Sequence, residues 1–317
     1  MIRSLIALLL ASAPAGAFDL GLPLDCTLGE TCFIQQYVDR DPGPQATDFT
    51  CGPLSYDGHE GTDFALPSLA AMQTGVTVRA AAAGVVKGGR DGMPDIAAND
   101  PAAPPLEGRD CGNGLVIDHA DGWQTQYCHL KNGSVTRKAG DAVEKGAALG
   151  QVGLSGRTEF PHVHITLRHN GRTIDPFDPD EALTCGEAAP ALWSDPLPYR
   201  PGGLVNAGFS STVPAFEAIK AGLSEAPLPA DAPALVLWVH VFGGRAGDDV
   251  SLRITGPEGE VITQTGKLEK TQARLFRAAG KKLRAARWPA GPYLGEAILI
   301  RDGLEIDRLT TTLTIGD

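Results

Sequence analysis

The 317-residue sequence lacks the marks of several large protein classes. It has 27 Lys and Arg against 38 Asp and Glu, so the basic surplus of nucleic-acid-binding proteins is missing and no nucleic-acid partner is expected. After the first ten residues, no apolar run approaches the ~20 residues that cross a bilayer. The six cysteines include no Cys-x2-Cys pair, which argues against a cysteine zinc site.

A helical apolar stripe longer than a few turns is also missing, whereas glycine (39) and proline (24) are abundant. Short apolar runs broken by glycine predict strands joined by turns. Such runs occur at 76–86, 114–118, 123–130, 147–152 and 163–167, and again at 235–241, 250–254, 261–265, 295–300 and 307–315. The sequence therefore predicts a mainly β protein, with a hairpin turn at 119–122 and a long polar loop at 88–113.

The first 17 residues are typical of a secretory signal peptide. Arg3 gives a positive start, residues 5–10 are apolar, and residues 15–17 form a small-x-small cleavage site. The apolar stretch is too short for a membrane anchor. We expect an exported protein, periplasmic or secreted, whose mature chain starts at Phe18 and has no membrane span.

Composition divides the remaining chain into four parts. Residues 18–52 hold three cysteines and little periodicity, which predicts an irregular, stapled segment. Residues 53–185 form the first predicted β domain, and residues 186–232, rich in Ala and Pro, a linker. Residues 233–317 have the regular strand spacing of a small antiparallel sandwich, which we expect to be immunoglobulin-like.

Histidines and one aspartate in the first β domain form a candidate metal site. His59 and Asp63 lie four apart and would share a face of an extended backbone, while His162 and His164 lie two apart, on one face of a strand. Two imidazoles and one carboxylate suit a catalytic zinc ion with an open position. His129 and one of the pair His162 and His164 then remain for proton transfer or oxyanion stabilisation.

The order of these motifs resembles the LytM/lysostaphin-type zinc metallopeptidases, which cleave peptide bonds of bacterial peptidoglycan. The similarity extends from about Tyr56 to Pro176. It includes the motifs His59-Glu60-Gly61-Thr62-Asp63, Gly112-Asn113-Gly114, Tyr127-Cys128-His129-Leu130, Gly150-Gln151-Val152-Gly153, Pro161-His162-Val163-His164 and Asp175-Pro176. The resemblance implies a compact antiparallel β domain with a groove across a zinc site.

By the same resemblance, His59, Asp63 and His164 are the ligands of one zinc ion per chain, and His129 and His162 are the catalytic histidines. The implied activity is that of a zinc-dependent endopeptidase acting on peptidoglycan cross-links or stem peptides. Two alternatives are a non-catalytic cell-wall or divisome regulator that uses the same groove, and a secreted lytic factor against other cells. Presence of all five residues favours the enzyme.

The cysteines and one basic segment complete the predictions. Cys111 and Cys128 flank the predicted hairpin and are expected to pair across it. The other four cysteines allow three connectivities; they are Cys26, Cys32, Cys51 and Cys185. Residues 267–287 carry eight Lys and Arg against one Glu, which favours a solvated edge strand protected by charge. The alternative is a docking surface for an anionic glycan, lipid or protein.

Overall fold

The protein is described by a computed structural model that covers residues 18–180, 191–222 and 227–316. The predicted signal peptide, 1–17, and Cys185, the last residue of the predicted domain 53–185, lie outside the described residues. The described part is mainly β and all its strand pairs are antiparallel, which confirms the predicted fold class. No helix in it is long and apolar enough to cross a membrane.

The first unit is built around an eight-stranded sheet. Its elements are β1 Phe33–Gln36, β2 Thr62–Ala65, α1 Leu69–Thr74, β3 Thr77–Arg79, β4 Gly84–Arg90, β5 Asn113–Asp118, β6 Trp123–Leu130, β7 Ala142–Val143, β8 Ala148–Gln151, β9 His162–His169 and β10 Arg172–Ile174. The sheet has the order β1-β2-β9-β6-β5-β4-β7, with β10 also on β9, and β3 pairs separately with β8. Strand β9 therefore lies between β2 and β6.

Buried apolar side chains explain why the runs of the first unit form strands. Phe64, Ile117, Tyr127 and Val163 are almost wholly excluded from solvent and belong to one core cluster. Each lies on a strand of the main sheet, so the face that buries them fixes the pairing register. The opposite face of the central strands is left free for polar side chains.

The second unit is a sandwich of two sheets. Its elements are β11 Gly203–Ser210, α2 Phe216–Ala221, β12 Ala234–Gly244, β13 Asp249–Gly256, β14 Gly259–Lys267, β15 Gln272–Lys282, β16 Gly291–Arg301 and β17 Leu304–Ile315. One sheet has the order β11-β12-β15 and the other β14-β13-β16-β17. Leu237, Ile254 and Ala297 lie in the core between them.

The predicted boundaries need two corrections. The linker prediction over 186–232 is wrong at Gly203–Ser210, because this segment is β11 and pairs with β12 along its length. The irregular segment 18–52 likewise contains a strand, β1, which extends the main sheet by pairing with β2. Both strands are defined by partners distant in the sequence rather than by a strong local apolar pattern.

The basic segment 267–287 contains β15, which pairs with β12 alone and forms an edge of its sheet. The edge-strand interpretation is thereby confirmed for Gln272–Lys282. Charged side chains along an edge discourage pairing with other chains. Arg274 of β15 is an exception, because its side chain contacts the ring of Phe160 in the first unit.

The two units pack against each other through an apolar contact. The rings of Phe33 in β1 and Phe242 in β12 lie 4.6 Å apart, and Ala65 of β2 completes this small buried cluster. Phe160 and Val205 pack against it. The sandwich is thus held next to the strands that carry the candidate site.

Candidate active site

Three side chains from β2, β9 and the turn before β2 meet on the polar face of the main sheet. Asp63 and His164 are direct cross-strand partners, so their side chains project to the same side. His164 Nδ1 lies 2.9 Å from Asp63 Oδ1, and His59 Nε2 lies 3.2 Å from that oxygen and 3.1 Å from His164 Nδ1. The structure therefore brings together all three sequence-predicted metal ligands.

His59 reaches this cluster in a way the sequence did not predict. It lies in the turn that precedes β2, not in an extended strand, so the shared-face argument for His59 and Asp63 is wrong. Its ring is oriented by a hydrogen bond from Nδ1 to the carbonyl oxygen of Tyr37, 2.6 Å away. That bond leaves the Nε2 lone pair directed at Asp63 and His164.

Hydrogen bonds and charge prepare the cluster for a cation. His164 Nε2 donates to Thr166 Oγ1 at 3.0 Å, so its Nδ1 also presents a lone pair. Burial raises the pKa of Asp63, but the surrounding histidines outweigh burial and hold this pKa well below its ordinary value. For His164, burial lowers the pKa of the imidazole. A carboxylate and two imidazole lone pairs thus face one another.

The donor set fits one zinc ion. Zinc bonds of ~2.0–2.2 Å to nitrogen and oxygen place tetrahedral ligand atoms about 3.3–3.6 Å apart. The three atoms described above lie 2.9–3.2 Å apart, so small outward shifts would bring them to that geometry. A zinc ion held by these three side chains would keep a fourth coordination position for water or substrate.

Gly61 allows the close approach of His164 to β2. A Cβ atom at this position would lie 2.5 Å from His164 Nε2 and 2.6 Å from the carbonyl oxygen of Ile165. The backbone oxygen cannot give way, so the imidazole would have to move. Only glycine leaves room for His164 at the distances observed.

We expect Gly61→Ala to weaken zinc binding by about 10- to 100-fold, the range seen when the surroundings of metal ligands are disturbed. Zinc affinity is measured by competition with a chromophoric chelator. Gly88→Ala is the matched control, since a Cβ at Gly88 in β4 meets no atom within 4 Å. Unchanged affinity in Gly61→Ala would show that the close approach is unimportant for the site.

His129 stands beside the metal cluster near the end of β6. Its Nδ1 donates to the carbonyl oxygen of Ser155 at 2.8 Å, so Nε2 carries the lone pair. Burial and the neighbouring His162 and His164 hold the pKa of His129 well below its ordinary value. A neutral imidazole of this kind can accept a proton. Its ring centroid lies 4.7 Å from that of His162.

The backbone of His129 is in the left-handed region, with φ of 64°. Non-glycine residues rarely adopt this conformation, and surrounding contacts must maintain it. The His129 amide donates to the carbonyl oxygen of Cys111 at 2.8 Å. Cys111 is in turn disulfide-bonded to Cys128, the residue before His129. This disulfide was predicted from the sequence and is confirmed.

Removing this disulfide should therefore reduce activity as well as stability. We expect Cys111→Ala/Cys128→Ala to lower kcat by roughly tenfold or more, since small displacements of a reacting group are costly. Loss of a disulfide that closes a loop of this size also lowers the free energy of unfolding by ~3 kcal/mol. Steady-state kinetics and thermal unfolding measure the two effects.

The control for that variant is Cys26→Ala/Cys32→Ala. The structure shows this second disulfide, one of the pairings that the sequence left open, and it lies in the N-terminal segment. Its removal should lower thermal stability and leave kcat unchanged. Equal kcat losses in the two double variants would contradict a specific role for the Cys111–Cys128 bond.

His162, the second predicted catalytic histidine, is oriented by the segment just before it. Its Nδ1 lies 2.9 Å from the carbonyl oxygen of Phe160 and 3.1 Å from Thr158 Oγ1, which together accept its proton. The ring of Phe160 stacks on it at 4.4 Å. Nε2 therefore faces Asp63, 3.4 Å away. Sequence analysis identified His162 but not the two residues that orient it.

The site opens into a cleft of about 570 Å³. Its first wall includes Asp63, His129 and His162, together with side chains of the segment 157–160. The predicted polar loop 88–113 reaches the cleft at Ala98, whose amide donates to the carbonyl oxygen of Thr158. The facing wall comes from the sandwich and consists of Phe216, Lys220, Gln272, Ala273 and Arg274.

The other three histidines do not line this cleft. His119 bonds to Ala83 and Thr125 near the hairpin turn, and His169 stacks on Trp123 at the far end of β9. His240 is buried in the sandwich. These positions agree with the expectation that all three are packed or solvated. The turn at 119–122 is present between β5 and β6, as predicted.

An antiparallel β unit with a His-Asp-His cluster in a cleft and two further histidines beside it is the architecture of a metal-dependent hydrolase. Residues 57–176 match the model of peptidase family M23. This range includes all five predicted site residues.

Curated relatives share this part of the chain. A Neisseria meningitidis serogroup B protein named DD-carboxypeptidase/endopeptidase Mpg is 34% identical over 136 residues, which cover 41% of this chain and 25% of that protein. Peptidoglycan DD-endopeptidase ShyA of Vibrio cholerae is 33% identical over 117 residues, 37% of this chain and 22% of ShyA. The chain thus spans about a quarter of the length of these relatives.

Among solved structures, the catalytic domain of the prophage-encoded M23 protein EnpA from Enterococcus faecalis is similar to this chain. The sequences are 25% identical, the match covers 54% of this chain and 99% of that one, and the TM-score is 0.34.

Proposed function

We propose that this protein is an exported zinc endopeptidase that hydrolyses peptide bonds in peptidoglycan cross-links or stem peptides. The observation that carries the proposal is the clustering of five side chains, of which Asp63, His129 and His162 line the cleft. His59, Asp63 and His164 offer three metal ligands, and the two remaining imidazoles turn Nε2 toward the same space. The names of the M23 relatives support peptidoglycan as the substrate.

The five residues divide the reaction between them. A zinc ion held by His59, Asp63 and His164 would lower the pKa of bound water and polarise the scissile carbonyl. His129 is neutral and fixed by Ser155, so it can take a proton at Nε2 and later return it to the leaving amine. His162 presents Nε2 on the other side of the Asp63 carboxylate.

Both imidazoles are oriented so that either can act as the base. Each donates its Nδ1 proton to a backbone carbonyl, at 2.8 Å for His129 and 2.9 Å for His162. The imidazole that takes the proton becomes a donor at Nε2 and can then hydrogen-bond the developing oxyanion. Glu60 takes no part, since it is exposed and does not line the cleft.

Export is supported by the cysteines of the described residues. The bonds Cys26–Cys32 and Cys111–Cys128 are both present, and none of the described cysteines is free. Disulfides persist in the periplasm and outside the cell but are rare in a reducing cytosol. Together with the signal-like sequence at 1–17, they support a location of the proposed activity where peptidoglycan lies.

The deciding experiment is muropeptide analysis of purified peptidoglycan after incubation with the protein. We expect the zinc-loaded wild type to generate new peptide fragments, a chelator to stop this, and added zinc to restore it. Unchanged muropeptides after treatment with zinc-loaded protein would overturn the enzyme proposal. Co-sedimentation of that inactive protein with peptidoglycan would then favour the non-catalytic regulator.

A further inference from the structure

The sandwich forms one wall of the catalytic cleft, although the M23 match ends before it. Side chains of α2 and β15 face the histidines across the cleft, among them Lys220 and Arg274. The packing of Phe242 against Phe33 and Ala65 holds this wall in place. Any peptide that reaches His129 and His162 must therefore pass beside the sandwich.

Arg274 is the unusual member of this wall. Its Nε donates to His240 Nε2 at 3.2 Å, and its guanidinium lies over the Phe160 ring, 5.1 Å from the centroid. Both terminal nitrogens are buried and have no hydrogen-bond partner among the described residues. A guanidinium has five N–H donors, so four of them are unused.

The unused donors belong to a group that stays charged. Burial lowers the pKa of Arg274 to about 10, which still leaves a cation at neutral pH. The neighbouring His240 provides no negative charge to balance it. Burial and the arginine charge lower the pKa of His240 to about 2, so its imidazole is neutral. The exposed Glu159 lines the cleft nearby, and Lys220, paired with Glu217, adds a second cation.

A buried cation with free donors favours an anion as its ligand. A buried donor without a hydrogen-bond partner costs more free energy than an ordinary hydrogen bond contributes. The planar fork of arginine matches a carboxylate with two parallel hydrogen bonds. Peptides of the proposed substrate class carry carboxylates, whereas the opposite ring, Phe160, offers none.

We propose that Arg274, assisted by Lys220, binds a carboxylate of the substrate peptide, so that the sandwich determines which peptides the M23 domain accepts. The inference rests on the proposed function and adds the chemistry of substrate selection to it. It assigns a role to the C-terminal unit, for which the sequence suggested no partner within the chain.

The contacts also indicate where this carboxylate lies relative to the bond that is cleaved. Phe160 contacts both Arg274 and His162, with the guanidinium 5.1 Å and the imidazole 4.4 Å from its centroid. The guanidinium is therefore within ~10 Å of the catalytic imidazole, about three residues of an extended peptide. A carboxylate farther along the substrate would not reach it.

The test compares two synthetic peptide substrates that differ in one group. One has a free carboxylate within three residues of the cleaved bond, and the other has a carboxamide there. We expect wild-type kcat/KM to be roughly 10- to 100-fold higher for the carboxylate, through KM, as charge-assisted hydrogen bonds predict. Arg274→Gln should bring the ratio close to one, and Arg274→Lys should restore part of it.

Lys281→Gln is the matched control, because Lys281 lies on the same strand at an exposed position outside the cleft. It should keep the wild-type ratio. The ratio within one variant does not depend on its folded fraction, so a poorly folding Arg274→Gln protein still gives an answer. Equal cleavage of both peptides by the wild type, or an unchanged ratio in Arg274→Gln, would overturn the inference.

A binding measurement separates this inference from the proposed function. Isothermal titration of both peptides into His129→Ala, with and without Arg274→Gln, reports the carboxylate preference without hydrolysis. If wild-type protein cleaves neither peptide but the preference is present and depends on Arg274, the enzyme proposal fails and the carboxylate site stands. If cleavage occurs and neither assay shows a preference, the site fails and the enzyme proposal stands.

Discussion

Replacing Asp63 by alanine is expected to remove both the metal and the activity. The carboxylate is the only anionic member of the ligand set, and it lies within 3.4 Å of His59, His162 and His164. Without it, two imidazoles remain for the cation. We expect bound zinc to fall from about one per chain to below about a tenth. Losing several kcal/mol of transition-state stabilisation lowers kcat/KM at least about a thousandfold.

Metal analysis after gel filtration and hydrolysis of purified peptidoglycan measure these two effects. Glu60→Gln is the matched control, since this acid is three residues from Asp63 yet exposed and outside the cleft. Its zinc content and rate should equal those of the wild type. Far-UV circular dichroism shows whether Asp63→Ala stays folded. A folded Asp63→Ala protein with a full complement of zinc would contradict the assigned ligand set.

His129→Ala is expected to separate metal binding from catalysis. Its Nε2 is held toward the cleft by the Nδ1 bond to Ser155, and burial lowers its pKa so that the ring is neutral and Nε2 is unprotonated. Proton transfer by a positioned side chain contributes ~10²–10⁴ to a rate, so kcat should fall by that factor. Zinc content should be unchanged, because His129 is outside the His-Asp-His cluster.

His169→Ala provides the comparison, as His169 lies in the same sheet but stacks on Trp123 far from the cleft. It should retain full kcat. If His129→Ala keeps more than about a tenth of the wild-type kcat while binding zinc normally, proton transfer through His129 is not part of the reaction. His162 would then have to perform it alone.

The predicted fold agrees with the structure where the local apolar pattern of a segment and its pairing with neighbouring strands both favour a strand. The run 123–130 corresponds to β6 residue for residue, and its Tyr127 and Leu130 belong to the core. Strand β11 was missed because its sequence, with two glycines and an asparagine, has weak strand preference. Pairing with the strongly apolar β12 decides its structure. A strand that forms through pairing with a distant segment has no recognisable strand pattern in its own sequence.

The candidate site, too, was predictable from the sequence only where local spacing determines the geometry. The spacing predicted that His162 and His164 share one face of a strand, while only the family resemblance distinguished the proposed metal ligand from the proposed catalytic residue. The groups that orient the rings include the carbonyl oxygens of Tyr37, Ser155 and Phe160, and every residue type has a carbonyl oxygen. Arg274 is more than a hundred residues from His164, so no local motif could connect them.

The composition of the cleft has a consequence for the timing of biosynthesis. Its lining begins with Gln35 in β1 and ends with Arg274 in β15, so it draws on almost the whole chain. Chains fold from the N-terminus as they emerge, and the five site residues precede the sandwich. A newly made molecule therefore acquires its ligand set first and its complete cleft only after β15 has paired. The proposed substrate selection through Arg274 would therefore require the finished molecule.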